Sequence, residues 1–147
     1  MILLKMLLDI IHVDKKTGFI AGTFDILHPG YISALQDAKD NCDYLIVGLH
    51  EDPSVERTGK FKPIFSLKER KETLLALKYV NKVIKYKTEK ELYDILKYNE
   101  ISVRFLGDDY INKQITGQDL QIDIVYLSRT HDWSYTKVRN LIRNDCK

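Results

Sequence analysis

The stretch FIAGTFDILHPGY, residues 19–31, carries the strongest indication of the fold. Its first four residues form an apolar run that predicts a β-strand, and Pro29 suits the first turn of a helix, where an N–H would lack a partner anyway. Between them, Gly22 and Gly30 allow close approach of the backbone, and the N–H groups at a helix start attract anions. The stretch outlines an anion site, although a glycine-containing turn can equally serve tight packing.

Strand and helix patterns alternate along the rest of the chain. Strands are predicted at residues 19–22, 44–49, 80–86, 103–106 and 122–127, and helices at 29–41, 66–78, 89–99 and 134–142. Such alternation predicts a parallel sheet with right-handed crossovers. We therefore expect an α/β, Rossmann-like fold with a five-stranded parallel sheet, helices on both faces, and ligands at the carboxyl ends of the strands.

Two local patterns support these elements. The run YLIVGL, residues 44–49, is nearly continuous in apolar residues, which is typical of a strand covered on both faces. Ser66 followed by Glu69 is a capping box that opens a helix, in which Leu74 and Leu75 are predicted to face the core.

Composition excludes several classes of protein. The 147 residues are 30% charged and 44% hydrophobic, as in one ordinary globular domain, and 23 Lys and Arg against 21 Asp and Glu give a net charge of +2. This balance provides no broad field to attract nucleic acid or an anionic membrane. With no apolar run near the roughly 20 residues of a membrane span and no secretory signal, a cytoplasmic protein is predicted. Cys42 and Cys146 follow no disulfide or zinc spacing, so we expect free thiols, with Cys42 buried.

The sequence predicts a single domain over residues 15–147, preceded by an N-terminal helix or extension at residues 1–14. Lys5, Asp9 and His12 are spaced four and three apart, so they would line one stripe of a helix that is otherwise apolar. This N-terminal helix or extension would pack either on its own domain or against another subunit.

Polar clusters at residues 22–31, 107–110 and 128–136 each follow a predicted strand and would meet at one edge of the sheet. The first, Gly22–Tyr31, resembles the GTFDxxHxGH signature of the cytidylyltransferase-like nucleotidyltransferases. Later segments resemble that family in the same order, and the resemblance covers about residues 18–143. The matching segments are Glu69-Arg70 (ER), residues 78–84 (RYVDEVI), residues 107–110 (GDDW) and residues 125–136 (VVYLPRTxGISTT).

Within the family, the resemblance is closest to the glycerol-3-phosphate cytidylyltransferases. It implies transfer of CMP from CTP to a small phosphorylated acceptor, with release of pyrophosphate. An ATP-using adenylyltransferase, such as the heptose-phosphate type, is an alternative, because the regions 60–63 and 116–117 are also compatible with it. A non-catalytic nucleotide-binding protein is the alternative from a different class.

The resemblance also implies roles for particular residues. His28, Lys62 and Arg129 are the implied catalytic residues: His28 would donate to the triphosphate, and Lys60 or Lys62 would neutralise phosphate oxygens. The implied nucleotide-binding set is Gly22, Thr23, Phe24, His28, Gly30, Tyr31, Lys60, Gly107, Asp108, Asp109, Arg129, Ser134 and Thr136. Mg²⁺ bridging the phosphates is implied by the polyphosphate chemistry, without a cluster of protein ligands. A homodimer is implied as well.

Several positions depart from the family pattern, among them Tyr31, Asn81, Lys82, Asp132 and Tyr135. Tyr31 stands where the second signature histidine belongs, and a phenol can donate a hydrogen bond but cannot supply an imidazolium charge. His131 is a candidate to replace that charge, or else a histidine of a surface loop. Tyr135 replaces the first threonine of the last motif. Within the signature, Asp25 could organise the turn rather than take part in chemistry.

Overall fold

Five parallel strands form the single sheet of the structure, a computed structural model that describes residues 1–3 and 15–146. The strands lie in the order β3-β2-β1-β4-β5, and every neighbouring pair is parallel. They are β1 (Thr17–Gly22), β2 (Tyr44–His50), β3 (Lys82–Tyr86), β4 (Val103–Gly107) and β5 (Asp123–Leu127). The predicted five-stranded parallel sheet is confirmed.

Helices cover both faces of this sheet, as predicted. On one face Leu35 and Leu74, from the first two helices, pack into a core with Phe105, and on the other face Leu92 and Leu96 pack around Phe19. The helices are α1 (Pro29–Asp40), α2 (Leu67–Leu75), α3 (Glu89–Tyr98) and α4 (Tyr135–Asp145), and a 3₁₀ turn spans Asp108–Tyr110.

Helix α2 is shorter than its apolar pattern indicates. Ser66 and Glu69 form the predicted capping box, but the helix ends at Leu75 instead of Lys78, and Leu75 is 47% exposed. Beyond it the chain tightens into successive turns, in which the Leu77 N–H donates to Leu74 and the Val80 N–H to Leu77. These turns bring Val80 into the core, so the prediction that Leu75 faces the core was wrong.

The strand order creates a crevice at the centre of the sheet. From β1 the chain moves outward through β2 and β3, then returns to the other side of β1 to form β4 and β5. The two halves therefore diverge between the carboxyl ends of β1 and β4, at Gly22 and Gly107. In open α/β sheets, ligands bind at this switch point.

Some predictions lie outside the described residues. The predicted N-terminal helix falls largely on residues 4–14, which the structure does not describe, and the homodimer stays a prediction. Among the described helices, none is both long and apolar enough to cross a bilayer. Both cysteines are free, and Cys42 is only partly buried rather than buried, because it lies just beyond the end of α1.

Candidate functional site

A cavity of about 610 Å³ opens at the switch point. Most of the nucleotide-binding residues implied by the sequence line it: Gly22, Thr23, Phe24, His28, Gly30, Tyr31, Lys60, Gly107, Arg129 and Ser134. The lining does not include Lys62, Asp108, Asp109 or Thr136. Lys60 and Lys62 both lie in the long loop between β2 and α2, residues 51–66, and of these two implied lysines the structure brings Lys60 to the cavity and leaves Lys62 outside it.

His28 is both the N-cap of α1 and a wall of the cavity. Its Nδ1 accepts a hydrogen bond from the Gly30 N–H at 3.1 Å, so in the neutral ring the proton lies on Nε2. That Nε2 atom is buried and has no hydrogen-bond partner among the described residues. Burial, and then the positive charges of His131 and Arg129, lower the pKa of His28. The site thus holds a neutral N–H donor without an acceptor, which an oxygen of an anionic ligand would satisfy.

Tyr31 packs against His28 as a neutral ring. The two rings stack with centroids 4.1 Å apart, and Phe24 lies on Tyr31 at 5.0 Å. Burial, followed by Tyr135 and Asp25, raises the pKa of Tyr31 to about 12. The phenol therefore stays protonated at neutral pH, and positive charge at this wall has to come from other residues.

Arg129 is held by the segment that follows β4. Its guanidinium forms an ion pair with Asp109 at 3.4 Å, and its backbone N–H donates to Asp108 Oδ2 at 3.1 Å. Neither of the two aspartates belongs to the lining of the cavity. Their visible contribution is to position Arg129.

Asp25 joins three separate parts of the chain. Its carboxylate is 4% exposed and accepts hydrogen bonds from the N–H groups of Ile64 at 2.7 Å and Phe65 at 2.8 Å, and from the Tyr135 hydroxyl at 2.6 Å. The sequence interpretation of Asp25 as an organiser of the turn agrees with this geometry. Tyr135, noted in the sequence only as a departure, anchors α4 to the signature turn.

Arg70 secures the backbone around the cavity in a similar way. Its guanidinium donates to four carbonyl groups, one in the signature turn, one at the last residue of β2, one just after β2 and one before α2. The acceptors are the carbonyls of Thr23, His50, Glu51 and Phe65. A planar group with five donors suits this task, since it can bond in several directions at once. Sequence resemblance indicated the Glu69-Arg70 pair but no role for it.

The cavity has a second polar wall, formed by Arg57, Glu89, Arg104 and Thr116. Arg57 forms an ion pair with Glu89, and the same carboxylate accepts from the Thr116 hydroxyl. Arg104 donates to the Thr116 carbonyl, is 6% exposed, and has an Nε atom with no partner in the described part of the chain. The sequence patterns did not predict this wall, although Thr116 lies in the region 116–117 that is compatible with an adenylyltransferase. The one signal was Arg104, a charge inside the apolar strand VRFL.

The Mg²⁺ implied by the polyphosphate chemistry has no ligand cluster of its own among the described residues. Across residues 1–3 and 15–146, no group of three or more His, Cys, Asp and Glu side chains is arranged to bind a metal. The Asp25 carboxylate is engaged by three donors and Asp109 by Arg129. Magnesium bound through the nucleotide phosphates stays a prediction, and we assign no protein atom to it.

A known protein family matches most of this chain. The model described as cytidylyltransferase-like matches residues 19–142, which include all five strands except the start of β1. The chain belongs to the cytidylyltransferase-like family. The signature turn, Arg129 and Ser134 lie on the cavity within the matched region of this family member.

Curated relatives of this cytidylyltransferase-like chain include bifunctional HldE proteins. The protein from Hyphomonas neptunium is 42% identical over 106 residues, which are 71% of this chain and 22% of the relative. The protein from Helicobacter pylori strain Shi470 is 33% identical over 143 residues, covering 97% of this chain and 31% of the relative. The chain thus spans only about a fifth to a third of the length of these relatives. The predicted family is confirmed, whereas these relatives do not support the finer resemblance to glycerol-3-phosphate cytidylyltransferases.

A solved structure confirms the fold. The lipopolysaccharide core biosynthesis protein from Thermoplasma volcanium GSS1 superposes with a TM-score of 0.65 at 24% identity, covering 80% of this chain and 99% of that one. At this identity the likeness concerns the architecture of the cytidylyltransferase-like domain.

Proposed function

We propose that the protein is an adenylyltransferase that transfers AMP from ATP to a sugar phosphate and releases pyrophosphate. The observation that carries the proposal is the single cavity at the switch point, which joins two unlike walls. One wall presents Arg129 and the His28 Nε2–H, which is unpaired among the described residues, and suits a polyphosphate. The other wall, with Arg57, Glu89 and Thr116, suits a ligand rich in hydroxyl groups.

The reaction needs positioning and charge stabilisation more than covalent chemistry. An oxygen of the acceptor phosphate attacks the α-phosphorus in line, a new P–O bond forms, and the bond to the β-phosphate oxygen breaks so that pyrophosphate leaves. In this proposal His28 donates to a phosphate oxygen as charge moves onto the leaving group. Arg129 and Lys60 neutralise that charge, and Ser134, the N-cap of α4, places a helix N-terminus beside it.

Two arguments favour ATP and a sugar phosphate over CTP and glycerol phosphate. The relatives at 33% and 42% identity are HldE proteins, which fits the heptose-phosphate alternative implied by the sequence resemblance. Thr116, one of the residues compatible with that alternative, lies in the hydroxyl-binding wall and contacts Glu89. CTP is the second candidate, because the matching family is described as cytidylyltransferase-like.

Pyrophosphate release tests the proposal directly. ATP and CTP are each to be combined with heptose 1-phosphate, hexose 1-phosphates and glycerol 3-phosphate, at matched concentrations and with Mg²⁺ present. We expect the highest kcat/KM for ATP with a sugar phosphate, and replacement of Glu89 with Gln should raise the KM for the sugar phosphate more than that for ATP. A preference for CTP with glycerol phosphate would support the second candidate. Nucleotide binding without turnover of any pair would identify a binding protein instead.

A further inference from the structure

The imidazole of His131 lies beside that of His28 over the first turn of α1. A Cβ atom on Gly30 would lie 2.6 Å from His131 Cε1 and 2.9 Å from His28 Cε1, so both rings occupy the space that the missing side chain leaves open. Both residues line the cavity, and both come from segments at the carboxyl ends of strands. Residues 28 and 131, which are far apart in the sequence, thus face the same point of the site.

Hydrogen bonds orient the two rings in the same manner. The Trp133 N–H donates to His131 Nδ1 at 3.2 Å, just as the Gly30 N–H donates to His28 Nδ1 at 3.1 Å. In each neutral ring the proton therefore lies on Nε2, which is left free to donate. Asp132, the acidic neighbour in the loop, pairs with Lys137 and not with His131.

The surroundings of the two rings favour an anion. Arg129, which lines the same cavity, carries a permanent positive charge, and burial, followed by His131 and Arg129, lowers the pKa of His28. Asp25, the nearby buried carboxylate, directs its hydrogen bonds to three donors outside the two rings, the N–H groups of Ile64 and Phe65 and the Tyr135 hydroxyl. His28 is 6% exposed, and its Nε2 has no hydrogen-bond partner within residues 1–3 and 15–146, so it is a buried donor that a ligand oxygen would satisfy.

We infer that His131 is a second phosphate-binding imidazole of this site, which contacts the polyphosphate of the nucleotide together with His28 and Arg129. The inference rests on the nucleotide site of the proposed function and adds a catalytic residue to it. Tyr31 stacks on His28 as a neutral phenol, at the position where the family signature has its second histidine. His131 supplies the second imidazole N–H donor that the phenol of Tyr31 does not provide.

The first experiment measures binding alone. Calorimetric titration with inorganic tripolyphosphate is to be carried out on the unmodified protein, on His131→Ala, and on Asn140→Ala, an exposed residue of α4 outside the cavity lining. We expect His131→Ala to weaken tripolyphosphate binding by about tenfold or more, the effect of losing a charge-assisted hydrogen bond, while Asn140→Ala leaves it unchanged. Equal thermal unfolding of the two variants would confirm that both are folded. Binding by His131→Ala within about threefold of the unmodified protein would overturn the inference.

The second experiment measures turnover and uses position 31 as an internal rescue. His131→Ala should lower kcat/KM for the nucleotide by about 100-fold, as for loss of a donor that stabilises developing charge. Tyr31→His places an imidazole against His28, so in the His131→Ala background it should restore kcat/KM by about tenfold or more, a larger gain than the same substitution gives when His131 is present. An equal gain from Tyr31→His with and without His131 would contradict the inference. If the unmodified protein turns over no nucleotide but His131→Ala still weakens tripolyphosphate binding, the proposed function fails and the inference stands.

Discussion

Single side chains at the signature turn divide into those that hold the backbone and those that face the cavity. Asp25 belongs to the first group, since all of its hydrogen bonds go to the protein itself. His28 belongs to both groups, because its Nδ1 caps α1 while its Nε2 finds no acceptor in the part of the chain that the structure describes. A residue such as Asp25 can thus belong to a functional motif and act by holding the backbone that forms the site.

Replacement of Asp25 with Asn tests the structural role. An amide offers one oxygen and an NH₂ group, which would face the N–H donors of Ile64 and Phe65. We expect the free energy of unfolding to fall by about 2–3 kcal/mol in urea denaturation. The exposed Asp40→Asn serves as the control and should change stability by less than about 0.5 kcal/mol. A stable Asp25→Asn protein would contradict the structural role.

Replacement of His28 with Ala tests the chemical role. The variant loses the only buried imidazole N–H without a partner that the described residues present to the cavity. We expect kcat for nucleotide transfer to fall by about 100-fold or more, whereas Asn140→Ala should match the unmodified protein. Unchanged turnover in His28→Ala, measured by pyrophosphate release, would rule out the proposed donor.

At the scale of elements, the site depends on loops that the sheet alone does not position. The long loop at residues 51–66, the signature turn and the start of α4 are tied together by Asp25 and Arg70. Arg70 lies on α2, which packs on the same face of the sheet as α1. Helix α2 therefore packs on the sheet and, through Arg70, also fixes the position of the backbone around the cavity.

Replacement of Arg70 with Lys tests this bracing. The ammonium group keeps the charge but cannot reach four carbonyl groups in different directions. We expect stability to fall by about 2–4 kcal/mol, together with a rise in the KM for the nucleotide. Lys71→Ala, at an exposed position of the same helix, should leave both quantities unchanged. If Arg70→Lys had the stability and KM of the control, the bracing role would be wrong.

At the scale of the whole molecule, buried histidines link folding to pH. Burial is the main cause that lowers the pKa of both His28 and His50 below the ordinary value of 6.5. His50 is 3% exposed, and its Nε2 donates to the Lys87 carbonyl at 3.2 Å. Below pH 6.5 the unfolded chain binds protons that these folded residues resist, so acid favours unfolding.

The expected result is a free energy of unfolding that falls as the pH drops from 7.5 to 5.5. Urea denaturation across this range should give a shallower decline for His28→Gln and for His50→Gln than for the unmodified protein, even where these variants are less stable at pH 7.5. Tripolyphosphate should reduce the decline, because an anion favours the protonated imidazoles of the folded state. A decline that is equally steep in both variants would show that other groups cause it.

Local sequence patterns predicted much of this fold. The apolar run 44–49 became a strand buried from Leu45 onward, and Ser66 opened α2 through the predicted capping box. Such features depend on neighbours within a few residues, which the sequence displays directly. Where a boundary depended on tertiary packing, as at Leu75, the pattern failed.

By itself, the sequence determined the order of strands and helices, the family, and the residues of the signature turn. Only the tertiary structure decided which polar groups meet in the cavity: Tyr135 with Asp25, Glu89 with Arg57, and His131 with His28. These pairs are distant in the chain, and they come together because the strand order reverses after β3 and brings separate loops to one edge of the sheet. Contacts of that kind leave no local periodicity, so a sequence read along its length does not reveal them.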